Sequence, residues 1–180
     1  QLAAYSRNLG FQAIASMNDT ALVILYAIKA GLGEYGRNQM VLTPEFGPRV
    51  RFSKIFTDMP LDVDRVHELG LTRYCHNCTI CADACPPKAL PKGPPRVGSK
   101  SPSTVKGVKK WSANCEACFG YWAKIKTDCA ICMRVCPFNH HHRGTVWYWL
   151  ATSRWRHVAQ WWAKRSMPAR LKPSMWWGSR

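Results

Sequence analysis

Apolar residues along this chain come in short runs broken by glycine, proline and charge, so the elements they predict are short. Residues 1–10 read as a short helical stretch that passes through Gly10 into a polar turn reaching Thr20. The run over 21–28 is apolar and is flanked by Asp19 and Lys29. It predicts a helix over 21–30 with Asn18 or Asp19 capping its start. Gly31 or Gly33 would end it, because glycine accepts the left-handed conformation at a helix C-terminus. Residues 40–43 and 50–56 read as strands, joined by the turn sequence PEFGP. Residues 61–71 are a short connection.

Farther along, 87–110 holds five of the twelve prolines, many lysines and hardly any large apolar side chain, which predicts a surface loop. Over 111–127 the steps of three and four return. They place Trp111, Cys115, Cys118, Trp122 and Ile125 on one helical face. Beyond Thr145 a second stripe, Trp147, Leu150, Ala151, Trp155, Val158 and Trp162, has Arg154, Arg156 and Lys164 outside it. That stripe reads either as a helix covering the rest of the protein or as one docked on a membrane surface or a partner. Three adjacent histidines, His140, His141 and His142, diverge on any regular backbone and read as a solvated loop.

Charge changes the picture in one respect. With 26 lysines and arginines against 10 acids, the formal charge is +16, which suggests an acidic partner, nucleic acid or an anionic membrane surface, or else acidic segments outside this chain. No run approaches the roughly eighteen apolar residues that a membrane-spanning helix needs. The chain opens at Gln1 directly into an apolar pattern, so we expect it to be the C-terminal part of something longer, and no targeting segment is visible.

The candidate chemistry lies in the cysteines. Cys75, Cys78 and Cys81 are three apart, and Cys85 follows directly before Pro86, giving the CxxCxxCxxxCP run of cluster ferredoxins. Cys129, Cys132 and Cys136 before Pro137 repeat the end of that run. Triplet spacing wraps one face of a cubane with three sulfurs and leaves the fourth ligand to come from far away. In two-cluster ferredoxins the last cysteine of each run serves the other cluster. One 4Fe-4S cluster would then use Cys75, Cys78, Cys81 and Cys136. The other would use Cys129, Cys132, Cys85 and either Cys115 or Cys118. A zinc site does not explain strict triplets followed by CP, and a disulfide framework does not suit nine cysteines. The face over 111–127 would pack against the second cluster and exclude water.

Three strings, AGLGEYGRNQMVLTPEFGPRVRFSKIFTDMPL, CHNCTICADACPPKAL and CFGYWAKIKTDCAICMRVCPFNH, occur in that order. Together they closely resemble the C-terminal half of cobalamin-dependent reductive dehalogenases, over most of positions 8–142. Epoxyqueuosine reductases share the AGLG, PEFG and cluster segments. GPRVR and CAICMRVCPFNH favour the dehalogenases. A plain ferredoxin-type electron carrier would leave AGLGEYGRN and TPEFGPRVR without a role.

The resemblance implies an α+β fold: the end of a nitroreductase-like corrinoid-binding α/β domain over 1–70, then a ferredoxin-like domain with two 4Fe-4S clusters over 71–142. A basic, tryptophan-rich helix and tail would occupy 143–180. It implies electrons passing through the clusters to a base-off corrinoid whose cobalt(I) cleaves the carbon–halogen bond of an organohalide. Cys118, opening the CFxYW stretch, becomes the expected fourth ligand, leaving Cys115 as a spare buried thiol. Gly31, Gly33, Gly36 and the loop Thr43, Pro44, Glu45, Phe46 and Gly47 lie where the family wraps backbone around the corrinoid. Asn18 and Arg51, with Arg49 competing, are the candidate polar groups of the halide and substrate pocket. Tyr5 does not match the family's proton-donating tyrosine, which is expected before Gln1. The implied partners are a small organohalide, a low-potential electron donor, a membrane surface or membrane-anchor subunit and a second copy of the chain, and nucleic acid is not among them. The expected location is the outer face of the cytoplasmic membrane, with the cytoplasm as the alternative.

Overall fold

The computed structural model describes residues 1–139 except 19, 67 and 100, together with 157, 158 and 161. The expected helix beyond 145 and the histidine loop lie outside these residues, apart from those last three. The described chain mixes short helices with two antiparallel ribbons. No described helix is long and apolar enough to cross a membrane.

Helix α1 (Leu2–Asn8) ends at a turn through Gly10 and leads into strand β1 (Ala13–Ser16), where the sequence pattern predicts a polar turn. The reason lies forty residues away. β1 pairs with β4 (Lys54–Thr57) in register from Ala13 opposite Thr57 to Ser16 opposite Lys54. Its two buried residues are the end ones, so its own pattern shows no alternation of period two. Arg7 Nη1 donates to the Ala13 carbonyl at 2.6 Å and ties α1 to the ribbon. The longer strand expected over 50–56 is corrected to Lys54–Thr57, since only those residues find a partner.

Helix α2 (Val23–Lys29) falls inside the expected span. Its first residue is preceded by Leu22, yet Asn18 still serves its start: Asn18 Oδ1 accepts from the Val23 N–H at 2.9 Å. The chain then forms a tight hairpin of β2 (Glu34–Tyr35) and β3 (Val41–Leu42). Gly33 is required there, because a Cβ on it would lie 2.3 Å from the Leu42 carbonyl oxygen.

The hairpin is fastened to helix α3 (Leu71–Asn77) by a side chain from another element. The Glu34 carboxylate accepts from the backbone N–H groups of Leu69, Gly70 at 2.8 Å and Thr72 at 2.7 Å. It thereby satisfies donors that α3 leaves open at its start. Thr72 Oγ1 donates to the Tyr35 carbonyl at 2.9 Å. Beyond α3 come α4 (Ile80–Ala84), the long loop, α5 (Cys115–Ile125), α6 (Ile131–Arg134) and a single 3₁₀ turn at Pro137–Asn139.

One core joins these parts. Leu42 of the hairpin packs with Leu71, Tyr74, Ile80, Trp111, Val135 and Phe138, with Tyr35 and Ile131 against its edge. Each large apolar side chain buried here contributes about 1.5–3 kcal/mol. The Tyr74 and Phe138 rings meet edge to face at 5.0 Å. Trp111 had been expected on the helical face over 111–127. The helix instead begins at Cys115, where Asn114 Oδ1 accepts from the Ala117 N–H at 3.0 Å. Trp111 precedes it, 2% exposed, with its indole N–H donated to the Gly93 carbonyl at 3.0 Å. No α5 residue is buried, so the face expected to exclude water only half does so, and Phe119 is 70% exposed.

Candidate functional site

Helices α3 and α4 bring Cys75, Cys78 and Cys81 to one wall of a cavity, and Cys136, from the end of the second run, closes it. Arg37, Asn38, Leu42, Tyr74, Pro137 and Phe138 complete the lining. All four cysteines are buried. The remaining sulfurs gather elsewhere. The Cys132 thiol feels the charge of Cys129, Cys85 and Cys118, and the Cys118 thiol that of Cys85, Cys129 and Cys115. α4 packs against α6, so each cysteine run sends its last member to the other run's set. We call Cys75, Cys78, Cys81 and Cys136 the inner set, and Cys85, Cys118, Cys129 and Cys132 the outer set.

Cys115 is engaged separately. Its sulfur lies 3.5 Å from Thr104 Oγ1 and donates to the Ala113 carbonyl at 3.9 Å. It is half-buried, where burial had been expected.

Burial shapes the acidity of these thiols. Desolvation pushes Cys75 up to about 12 against the pull of Arg37, and it pushes Cys81 and Cys136 well up as well. Cys132 rises to about 11 for the same cause, reinforced by Cys129 and Cys85. Thiolates at these positions therefore need a positive centre to sustain them. No disulfide joins any of the nine cysteines. Among the described residues no three His, Cys, Asp or Glu side chains converge as they would on a single ion. The inner sulfurs ring a space instead.

The lining of that space suits an anionic, multi-atom group. Asn38 Oδ1 accepts from the Met40 N–H at 3.2 Å, which fixes the amide, and its Nδ2 is buried without an acceptor. A buried N–H donor beside four sulfurs is chemically matched to a sulfide-bearing cluster. At the outer set, the Ala89 N–H already donates to Cys85 Sγ at 3.3 Å.

The structure also shows a residue the sequence reading passed over. Arg37 is 1% exposed. Its guanidinium donates to the carbonyls of Cys75 at 2.8 Å, Cys78 at 2.7 Å, His76 at 3.1 Å, and Pro91 and Gly93 at 2.8 Å each. It also lies over the Trp111 ring at 5.0 Å. An arginine in AGLGEYGRN carries no sequence signal for burial, because its partners are carbonyls and not acids.

The segment expected around a corrinoid is occupied by the chain itself. A Cβ on Gly33 or Gly36 would strike Leu42, one on Gly31 the Arg65 carbonyl at 2.9 Å, and one on Gly47 the Phe138 carbonyl at 2.3 Å. The Thr43–Gly47 loop is closed by reciprocal backbone bonds of 3.0 and 2.9 Å, and Gly47 has φ +57°. Thr43 and Gly47 are buried, whereas Glu45 and Phe46 at the tip are exposed beside half-buried Pro44. Asn18 and Arg51 are both exposed and lie apart from the cysteine cavity. The register of β1 and β4 sends them off the same end of the ribbon. Arg49 and Tyr5 are exposed too.

A model of the 4Fe-4S double cluster binding domain matches residues 74–139. The tetrachloroethene reductive dehalogenase of Sulfurospirillum multivorans is 38% identical over 146 residues, which is 81% of this chain and 28% of that protein. The chain is homologous to part of the reductive dehalogenases. A solved catabolic reductive dehalogenase, NpRdhA, superposes with a TM-score of 0.72 at 31% identity, over 88% of this chain and 23% of that one. An epoxyqueuosine reductase of Lactococcus garvieae is 32% identical over 137 residues, covering 72% of this chain and 35% of that protein. The chain thus spans about a quarter of the length of the reductive dehalogenases it matches.

Proposed function

We propose that this chain is the iron–sulfur end of a reductive dehalogenase, an oxidoreductase that removes halide from an organohalide with electrons from a low-potential donor. The observation that carries this reading is the division of eight sulfurs into two sets of four, within a stretch homologous to those enzymes. When bound, two 4Fe-4S clusters supply one-electron transfer at low potential, and a base-off corrinoid supplies the metal at which a carbon–halogen bond breaks.

In this reading Cys75, Cys78, Cys81 and Cys136 hold the inner cluster, and Cys85, Cys118, Cys129 and Cys132 the outer one. The residues do three things. Their burial keeps water from the inner set, while the half-buried Cys118, Cys129 and Cys132 of the outer set leave an approach for a donor. The hairpin carrying Arg37 and Asn38 packs the inner set against the end of a nitroreductase-like domain, the side on which a corrinoid would sit. Asn18, Arg51 and the exposed loop tip Pro44–Glu45–Phe46 are its candidate contacts within this chain, and most of the corrinoid would be held by other parts of such a protein.

The test is chemical. A longer form of the protein, loaded anaerobically with iron, sulfide and corrinoid and given a low-potential donor, is expected to release halide from at least one member of an organohalide panel. Absence of halide release, together with tight and salt-sensitive binding of transfer RNA, would favour epoxyqueuosine reduction instead.

A further inference from the structure

Arg37 and Asn38 put a guanidinium and a buried, unpartnered N–H donor into the lining of the cavity that holds the four inner cysteines. We propose that this pair sets the reduction potential of the inner cluster, holding it above the value that its burial alone would impose; the proposal rests on the two-cluster reading above.

The argument starts from charge. A cubane with four thiolates becomes more negative on reduction, so removing it from water makes the reduced form costly and lowers the potential. The inner set is the more deeply buried of the two, with each of its cysteines 8% exposed or less. A wire that ends on its most buried cluster would be blocked there unless something offset that cost. Arg37 supplies a guanidinium charge. Among the described residues no carboxylate pairs with it; its hydrogens go to five backbone carbonyls of the loops around the inner set. Asn38 Nδ2 adds a donor of the kind that stabilises the reduced, more electron-rich sulfurs. Arg37 has no counterpart among the described neighbours of the outer set, where the Ala89 N–H donates to Cys85 Sγ and the Trp122 indole N–H on α5 is buried without an acceptor. Arg37 is therefore a positioning and tuning residue, touching the loop backbone and acting on the cluster through its charge.

The experiment uses the 180-residue chain, loaded anaerobically and titrated electrochemically while each reduced cluster is followed by electron paramagnetic resonance. Three variants are compared with the parent: Arg37→Gln, Arg37→Lys and Asn38→Asp. The last keeps the oxygen that accepts from Met40, removes the Nδ2 donor and adds a carboxylate charge, two changes that both lower the potential if this side chain acts on the inner cluster. Arg37→Gln and Asn38→Asp are each expected to lower the reduced-to-oxidised ratio of the inner cluster about tenfold or more at a fixed ambient potential, equivalent to 59 mV for a one-electron couple. The outer cluster should stay unchanged, and Arg37→Lys should restore most of the parent value. If Arg37→Gln assembles no inner cluster, Asn38→Asp decides. An inner-cluster potential unmoved in Asn38→Asp and in any loaded Arg37→Gln would overturn the proposal, as would an equal shift of both clusters. A parent chain that binds no cubane at all would overturn the two-cluster reading itself, a distinct and separately visible result.

Discussion

The two sulfur sets are made from the same kind of cysteine run, yet they sit in different physical settings. The inner set lies in the main core, flanked by Leu42, Leu71, Tyr74 and Phe138 and braced by Arg37. The outer set takes Cys118 from α5 and Cys132 from α6, neither of which has a buried residue, and only Cys85, at the end of α4, is buried among its members. Sequence spacing treats the runs as near repeats. Their difference comes from what packs on them, and the hairpin of β2 and β3 covers one and not the other. The lesson is that an internal repeat can encode the same cysteine spacing twice while the fold assigns the copies different dielectric surroundings.

The largest expected effect breaks that contrast or upholds it. Cys136→Ser should cut bound iron from about eight to about four per chain or fewer, and should abolish cooperative melting, because a core ligand is lost. Cys118→Ser should also bring iron to about four while the chain still melts cooperatively. Equal damage from both would remove the distinction between the sets. Iron per chain and circular dichroism melting curves are the readouts.

Alkali provides the next test, on iron-free chain. The Cys75 thiol ordinarily titrates near 9 and is pushed up to about 12 in the folded protein. A thiol whose folded value is raised favours the protonated fold, so its contribution is complete below pH 9 and is lost as pH climbs toward 12. The melting temperature of iron-free chain should therefore fall over that window, whereas loaded chain, with its thiolates on metal, should lack this component. A smaller effect is expected from Leu42→Ala, which opens a void beneath the inner set and should cost about 2–5 kcal/mol, measured by urea unfolding of the loaded chain. Cys115→Ser should have the smallest effect, leaving iron at about eight per chain, since that sulfur is engaged by Thr104 and Ala113. Loss of half the iron would make Cys115 the outer ligand.

How much of this was legible depends on whether the deciding partner is local. Cysteine runs carry their own spacing, and helix α2 carried its apolar run and the Asn18 cap, so both could be read directly. Strand β1 could not, because Lys54–Thr57 alone makes it a strand. The Glu34 cap on α3 is equally hidden: its carboxylate serves N–H groups 35 to 38 positions away. Arg37 is the sharpest case. Burial of a guanidinium is affordable only when enough carbonyls converge on it, and that convergence exists only once residues 75–78 and 91–93 have folded around it. The loop assigned to the corrinoid shows the same dependence from another side. Its glycines were legible as sites of close approach, and what approaches is the chain's own Leu42 and Phe138.

Mössbauer spectroscopy of anaerobically loaded wild-type chain, combined with iron and sulfide analysis, tests the central claim most directly. The account predicts about eight iron and eight sulfide per chain, all in cubane form and divided between two environments. Iron bound singly through thiolates, zinc in its place, or a single cluster with four sulfurs left idle would contradict it.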